Sequence, residues 1–166
     1  MLRRTPLRRL SSFIQRAANA NDAQVLIGPF QSAGRFDLCL EEAGMECVSI
    51  GPTGVHCMLT VTESLANNFG TLHGGAVSTL VDVAGTLALL GRDPTRPGVS
   101  VEMNQSFCSG AQIGQTLSVH GTVLKYGGTL AFTEVVVRAA DAGGTTKGAA
   151  GRLIATGRHT KFFLKK

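Results

Sequence analysis

Apolar positions follow two different periods along this chain. Across residues 74–90 they recur at helical spacing, with Leu80, Val81, Val83, Ala84, Leu87, Ala88 and Leu89 interrupted only by Ser78, Thr79, Asp82 and Thr86 among the polar residues. Pro94 and Pro97 keep this helix from running much past Gly91. Beyond them come the Val-, Thr- and Phe-rich runs of strands, at residues 99–107, 116–125, 129–139 and 149–163. Ser109-Gly110, Gly127-Gly128 and Asp141-Ala142-Gly143-Gly144 supply the residues that turns between strands need. Ahead of the long helix, residues 31–43 predict a shorter one, with Phe36, Leu38, Cys39 and Leu40 as apolar positions and Gly44 as its stop. Residues 45–50 and 55–61 predict a hairpin about Pro52-Thr53-Gly54, its second strand setting Val55, Cys57, Leu59 and Val61 against His56, Met58 and Thr60. Two strands, one long helix and four further strands predict an α+β domain over residues 21–166, an antiparallel sheet wrapped around a central helix.

That helix and its approach, residues 67–90, hold one charged residue, Asp82. An unpaired carboxylate between Val81 and Val83 is either costly or useful, since burial disfavours its charged form. Gly74, Gly75, Ala76, Ser78, Ala84 and Gly85 let other backbone approach closely, at up to about 1 kcal/mol of helix propensity per glycine. His73-Gly74-Gly75 opens the helix. There the first amides lack internal partners and lie at the positive end of the dipole, which suits a carbonyl oxygen that becomes an oxyanion. Taken alone, the tripeptide reads equally well as an ordinary glycine-rich helix start. Gly74 and Asp82 are about 12 Å apart along the axis and roughly 80° around it, too far for one small reacting group to touch both. Two such helices, side by side and antiparallel in a symmetric dimer, would set Gly74 of one against Asp82 of the other.

Composition narrows the function. The length of 166 residues is that of one domain, and 43% hydrophobic with 16% charged residues leans towards an oligomer. Sixteen basic against eleven acidic residues give a net charge of +5. Arg3, Arg4, Arg8, Arg9 and Arg16 account for all of it, because sixteen less five leaves eleven basic against eleven acidic residues. A nucleic-acid partner thereby loses its main support. Residues 1–20 are Arg-rich, free of acid, and space Leu7, Leu10, Phe13 and Ile14 along one helix face, the pattern of a mitochondrial transit peptide. A disordered basic tail or a membrane-surface helix is the alternative, with the cytoplasm in place of the mitochondrial matrix. Cys39, Cys47, Cys57 and Cys108 form no Cys-x-x-Cys pair and are expected as free thiols. No run reaches the roughly 18 uninterrupted apolar residues of a membrane span, so no integral membrane association is expected.

Five segments carry a family resemblance: NNFGTLHGG at 67–75, TLVDV at 79–83, PGVSVEMN at 97–104, TLAFT at 129–133 and GRHTK at 157–161. Over residues 36–161, with matching spacing, the chain resembles the hotdog-fold acyl-CoA thioesterases of the small, mitochondrion-associated thioesterase superfamily member 2 type. The strongest part is HGG followed by an acid nine positions after the histidine. The resemblance implies hydrolysis of a fatty acyl-CoA of medium to long chain, in sites shared across a homodimer that pairs into a tetramer, with no metal or organic cofactor. By matched position, the Gly74 amide and the Asn67 side chain would polarise the thioester carbonyl. Asp82 of the partner subunit would act as general base or nucleophile, Ser100 would help to hold the water, and His73 would orient the loop before the helix. Lys125, Tyr126, Gly127, Gly128, Thr129 and Leu130 form the hairpin implied for the CoA nucleotide, although relatives often carry lysine where this chain has Gly128. Arg158 and Lys161 are further candidates for that end, and Phe107 for the acyl channel.

Two other functions fit the same fold: a dehydratase or hydratase on acyl thioesters, and a non-catalytic acyl-CoA-binding module. The first pairs a histidine with a carboxylate on the central helix, and no histidine occurs between Gly74 and Arg92. A lone mid-helix aspartate argues against the second, because structure alone does not require it. Neighbours on a strand point to opposite faces, which argues against a His56-Cys57 dyad. His120 reads as solvated beside Ser118 and Thr122, and His159 as near the nucleotide or on the sheet surface.

Overall fold

The structure, a computed structural model, describes residue 36, residues 38–140 and residues 151–164. The basic N-terminal segment, most of the first predicted helix before Leu38 and the turn at 141–144 lie outside the described residues. In order, the elements are α1 (Leu38–Glu42), β1 (Glu46–Gly51), β2 (Gly54–Thr60), a 3₁₀ turn (Glu63–Leu65), α2 (Gly74–Arg92), β3 (Val99–Phe107), β4 (Thr116–Tyr126), β5 (Leu130–Ala139) and β6 (Leu153–Phe162). The six strands form one antiparallel sheet in the order β1-β2-β4-β5-β6-β3. α2 packs against every strand of it.

Period-2 alternation decides which face meets the helix. On β5, Ala131, Thr133, Val135, Val137 and Ala139 are buried, while the residues between them are half-buried on the other face. On α2, thirteen of nineteen residues are buried, Leu80, Leu87 and Leu89 completely. Burying each such side chain stabilises the fold by about 1.5–3 kcal/mol. The expected close approach occurs at Gly121 on β4, where a methyl group would come within 2.5 Å of the Ala84 carbonyl oxygen. α2 is long and apolar enough to cross a bilayer, with a mean hydropathy of 1.4. Averaged over the helix, its few polar residues do not lower that value enough to exclude a span, contrary to the uninterrupted-run argument. Its apolar surface is instead covered by the sheet.

Strand β3 breaks the sequential order. It follows α2 but pairs only with β6, so it forms one edge of the sheet. Its Val99, Val101, Met103 and Phe107 are 44, 54, 39 and 60% exposed. On β2, Cys57 is fully buried, whereas His56 lies on the opposite sheet face, its ring stacked on His120. None of the four cysteines is joined in a disulfide.

Candidate functional site

Two clusters stand at opposite ends of β3. The first surrounds the start of α2, where residues 67–71 form a loop tied by its own side chains. Asn67 Oδ1 accepts from the amides of Phe69 and Thr71 at 2.9 and 3.2 Å, and Asn67 Nδ2 donates to Thr71 Oγ1 at 2.9 Å. That leaves the second Nδ2 proton for a ligand. His73 caps the helix, its Nδ1 accepting from the Gly75 amide at 2.8 Å while its own amide donates to the Leu65 carbonyl. The cap engages Gly75. The amide of Gly74, the first helical residue, has no acceptor within the helix. Phe107 lays its ring against this point, 3.4 Å from where a Gly74 methyl would stand. Asn67, His73, Gly74 and Phe107 are therefore gathered together. Gln105 joins them although the sequence reading passed over it: its Nε2 donates to Ser78 Oγ, which in turn donates to the Gly74 carbonyl. The available signal was strand alternation, which sets Gln105 on the same face as Phe107.

The second cluster holds Asp82. Its side chain is 45% exposed although Val81 and Val83 are buried. Ser100 Oγ, on β3, donates to Asp82 Oδ1 at 3.2 Å. His159 Nε2 lies 2.9 Å from Ser100 Oγ and 3.4 Å from Asp82 Oδ1. Lys161 Nζ donates to Thr86 Oγ1 at 2.9 Å and to Ser100 Oγ at 3.3 Å, and stands 3.8 Å from Asp82 Oδ1. Ser100 directs its one proton to the carboxylate while accepting from Lys161. The other ring nitrogen of His159, Nδ1, is buried on the α2 side. Gly85 admits the ring, since a methyl there would meet His159 Nδ1 at 3.0 Å and Thr133 Oγ1 at 2.7 Å.

Burial lowers the His159 pKa and the Lys161 charge lowers it further, against the opposing pull of Asp82 and Glu102. The imidazole is thereby neutral at neutral pH. A carboxylate results that is gripped from below by a hydroxyl, a neutral imidazole and an ammonium, and open to solvent above. Lys161 was expected at the nucleotide, and His159 near the nucleotide or on the sheet surface. They lie instead beneath Asp82, because β6 alternates Gly157, His159 and Lys161 onto the helix-facing side. Arg158 points to the other face, pairs with Glu134 at 3.7 Å and joins neither cluster. The hairpin carrying Lys125, Tyr126, Gly127, Gly128, Thr129 and Leu130 closes through Gly127 N–H to the Leu130 carbonyl at 2.9 Å. Lys125 is exposed there, while the Tyr126 hydroxyl donates to Asp93 Oδ2 at 3.3 Å.

Comparison with known proteins gives the family and the fold. The thioesterase superfamily profile matches residues 69–145. Acyl-coenzyme A thioesterase 13 of Homo sapiens is 46% identical over 114 residues, 69% of this chain and 76% of that protein. The chain belongs to the thioesterase superfamily. Its fold is the hotdog fold of solved members of that family. Zebra fish thioesterase superfamily member 2 superposes with a TM-score of 0.69 at 34% identity, covering 97% of this chain and 100% of that one. A thioesterase protein of Streptococcus pneumoniae, solved with coenzyme A, superposes at a TM-score of 0.66. At 20% identity over 79% of this chain and 95% of that one, it supports the fold alone. Thioester hydrolysis, the chemistry of the superfamily, needs an oxyanion site and an activated water. An unpartnered helix-start amide and a supported carboxylate are groups of those two kinds. Within one thioesterase chain they are about 12 Å apart along the helix axis.

Proposed function

We propose that the protein hydrolyses fatty acyl-CoA thioesters of medium to long chain to the free acid and CoA, in sites shared between two copies of the chain. One observation carries this reading: Asp82 and Gly74 stand at opposite ends of the exposed edge strand β3. Antiparallel pairing of β3 with its two-fold mate, centred between Ser100 and Phe107, would bring the Asp82 end of one copy to the Gly74 end of the other. The thioester carbonyl oxygen would lie on the Gly74 amide and the free Asn67 N–H. Asp82 takes a proton from a water held with Ser100 as that water adds to the carbonyl carbon. The tetrahedral oxyanion then collapses, the C–S bond breaks, and the proton leaves with the thiol. Direct attack by Asp82, giving an anhydride that water opens, uses the same groups. Pairing of two dimers into a tetramer and the mitochondrial address of residues 1–20 belong to the same proposal, the latter tested by the destination of a reporter fused to those residues.

The hydratase alternative gains one point, since His159 brings an imidazole to Asp82 from β6. It loses it again, because His159 is 0% exposed and cannot touch a substrate. The experiment is free-thiol release from short, medium, long and aromatic acyl-CoAs, together with enoyl-CoA absorbance to register hydration. Thiol release with an optimum among the longer chains is the expected result. Folded protein that releases no thiol from any of them would sink the proposal, and loss of enoyl absorbance would replace it with the hydratase.

A further inference from the structure

The C-terminal end of α2 carries a cationic and aromatic cluster that the catalytic groups do not use. The guanidinium carbons of Arg92 and Arg96 lie 5.2 and 5.6 Å from the Tyr126 ring centroid, and that of Arg96 lies 4.0 Å from the Phe163 centroid. Arg96 Nη2 donates to the Gly128 carbonyl at 2.5 Å. The guanidinium is thus fixed to the β4–β5 turn on one side and to a buried ring on the other. Its charge acts on Asp93 without a direct ion pair. The nearest acid, Asp93, accepts instead from the Thr95 amide and hydroxyl at 3.0 and 2.7 Å and from the Tyr126 hydroxyl at 3.3 Å. Among the described residues, no carboxylate forms an ion pair with Arg92 or Arg96. Arg92, Arg96 and Lys125 therefore outnumber Asp93 in this corner.

Phe163 places the corner just beyond the His159–Lys161 end of β6. Phe163 continues the alternation of His159 and Lys161 on the helix-facing side, all three being buried. Arg96 precedes Ser100 by four residues, at most about 14 Å of chain. That bound keeps the cation within reach of a pantetheine arm whose thioester lies at Asp82. A planar cation held rigid by stacking matches phosphate oxygens better than a mobile lysine does.

We propose that Arg96, positioned by Phe163, Tyr126 and the Gly128 carbonyl, binds a phosphate of the CoA nucleotide and thereby selects CoA thioesters over thioesters that lack it. The proposal rests on the acyl-CoA reading above. The test compares KM for an acyl-CoA with KM for the acyl-pantetheine of the same acyl chain, in the full chain and in Arg96→Ala, Arg96→Lys and Arg96→Gln. Arg96→Ala should raise KM for the acyl-CoA roughly tenfold with kcat little changed, and leave both constants for the acyl-pantetheine alone. Arg96→Lys should recover part of the loss. Arg96→Gln retains a donor for the turn without the charge; it should behave like Arg96→Ala and stands in for it should that variant not fold. Unchanged KM for the acyl-CoA, or an equal rise for both thioesters, overturns the proposal and leaves Arg96 as a fastener of the turn. Failure of the unaltered protein to cleave either thioester overturns the acyl-CoA reading, and the proposal with it.

Discussion

Removing the charge of Asp82 and removing its supports are different perturbations. Asp82→Asn keeps the volume and an acceptor for the Ser100 hydroxyl, so the melting temperature should hold. The rate of thiol release should fall about 10²–10⁴-fold, the range for losing a positioned base, and an unchanged rate would remove Asp82 from the chemistry. His159 acts on stability as well. Its pKa is lowered in the fold, chiefly by burial, so the unfolded chain binds this proton first as pH falls. Stability is whole above about pH 6.5 and declines as pH drops through the lowered folded value, by at most about 1.4 kcal/mol per pH unit. Burial lowers His56 and His120 in the same direction. Urea midpoints measured from pH 7.5 downwards should show this decline, with a shallower slope in His159→Gln; equal slopes would mean that the ring titrates alike in both states. Asp82 was legible in the sequence as a lone charge in an apolar run. His159 and Lys161 were not legible in that role, because a polar strand face looks the same whether it meets water or a carboxylate on a neighbouring helix.

Elements were more legible than their arrangement. The period change after Arg92 separates helix from strands without any tertiary information, and α2 and the β1–β2 hairpin appear within a residue or two of their expected bounds. The edge position of β3 had no such signal. Val99, Val101 and Met103 have the same alternation that a buried strand face would have, and strand order depends on contacts far apart in the chain. α2 packs closely on β5 and β6 at Gly85, where a side chain would strike Thr133 Oγ1 of β5 and His159 Nδ1 of β6. Gly85→Ala should gain helix propensity, yet overpacking of this kind destabilises by about 1–3 kcal/mol. Displacing His159 should also disturb Ser100 and Asp82. The expected outcome is a lower melting temperature together with a lower kcat. A variant that is more stable and fully active would show that the helix can lift off β6 without consequence for the site.

At the scale of the whole molecule, the proposed shared site would make each chain the bearer of two half sites, joined through an edge strand whose apolar residues are left open. A complementation experiment separates a shared site from one built within a single chain. Gly74→Pro removes the helix-start N–H at the one helical position where proline is tolerated, and His73 already has the extended backbone, φ −67° and ψ 139°, that a following proline requires. Asp82→Asn and Gly74→Pro should each be inactive alone. Co-expressed in equal amounts, half of the dimers would be mixed, and each mixed dimer would join the intact Gly74 of one copy to the intact Asp82 of the other. About one quarter of full activity should return, from one working site in half of the dimers. A third variant, Val101→Lys, places a charge on the open edge. It should yield a folded monomer by sedimentation, inactive although Asp82, Ser100, His159 and Gly74 are all present. If the co-expressed pair stays inactive while Val101→Lys is an active monomer, carboxylate and amide act within one chain, and the 12 Å between them must then be closed by movement of α2 rather than by a second copy.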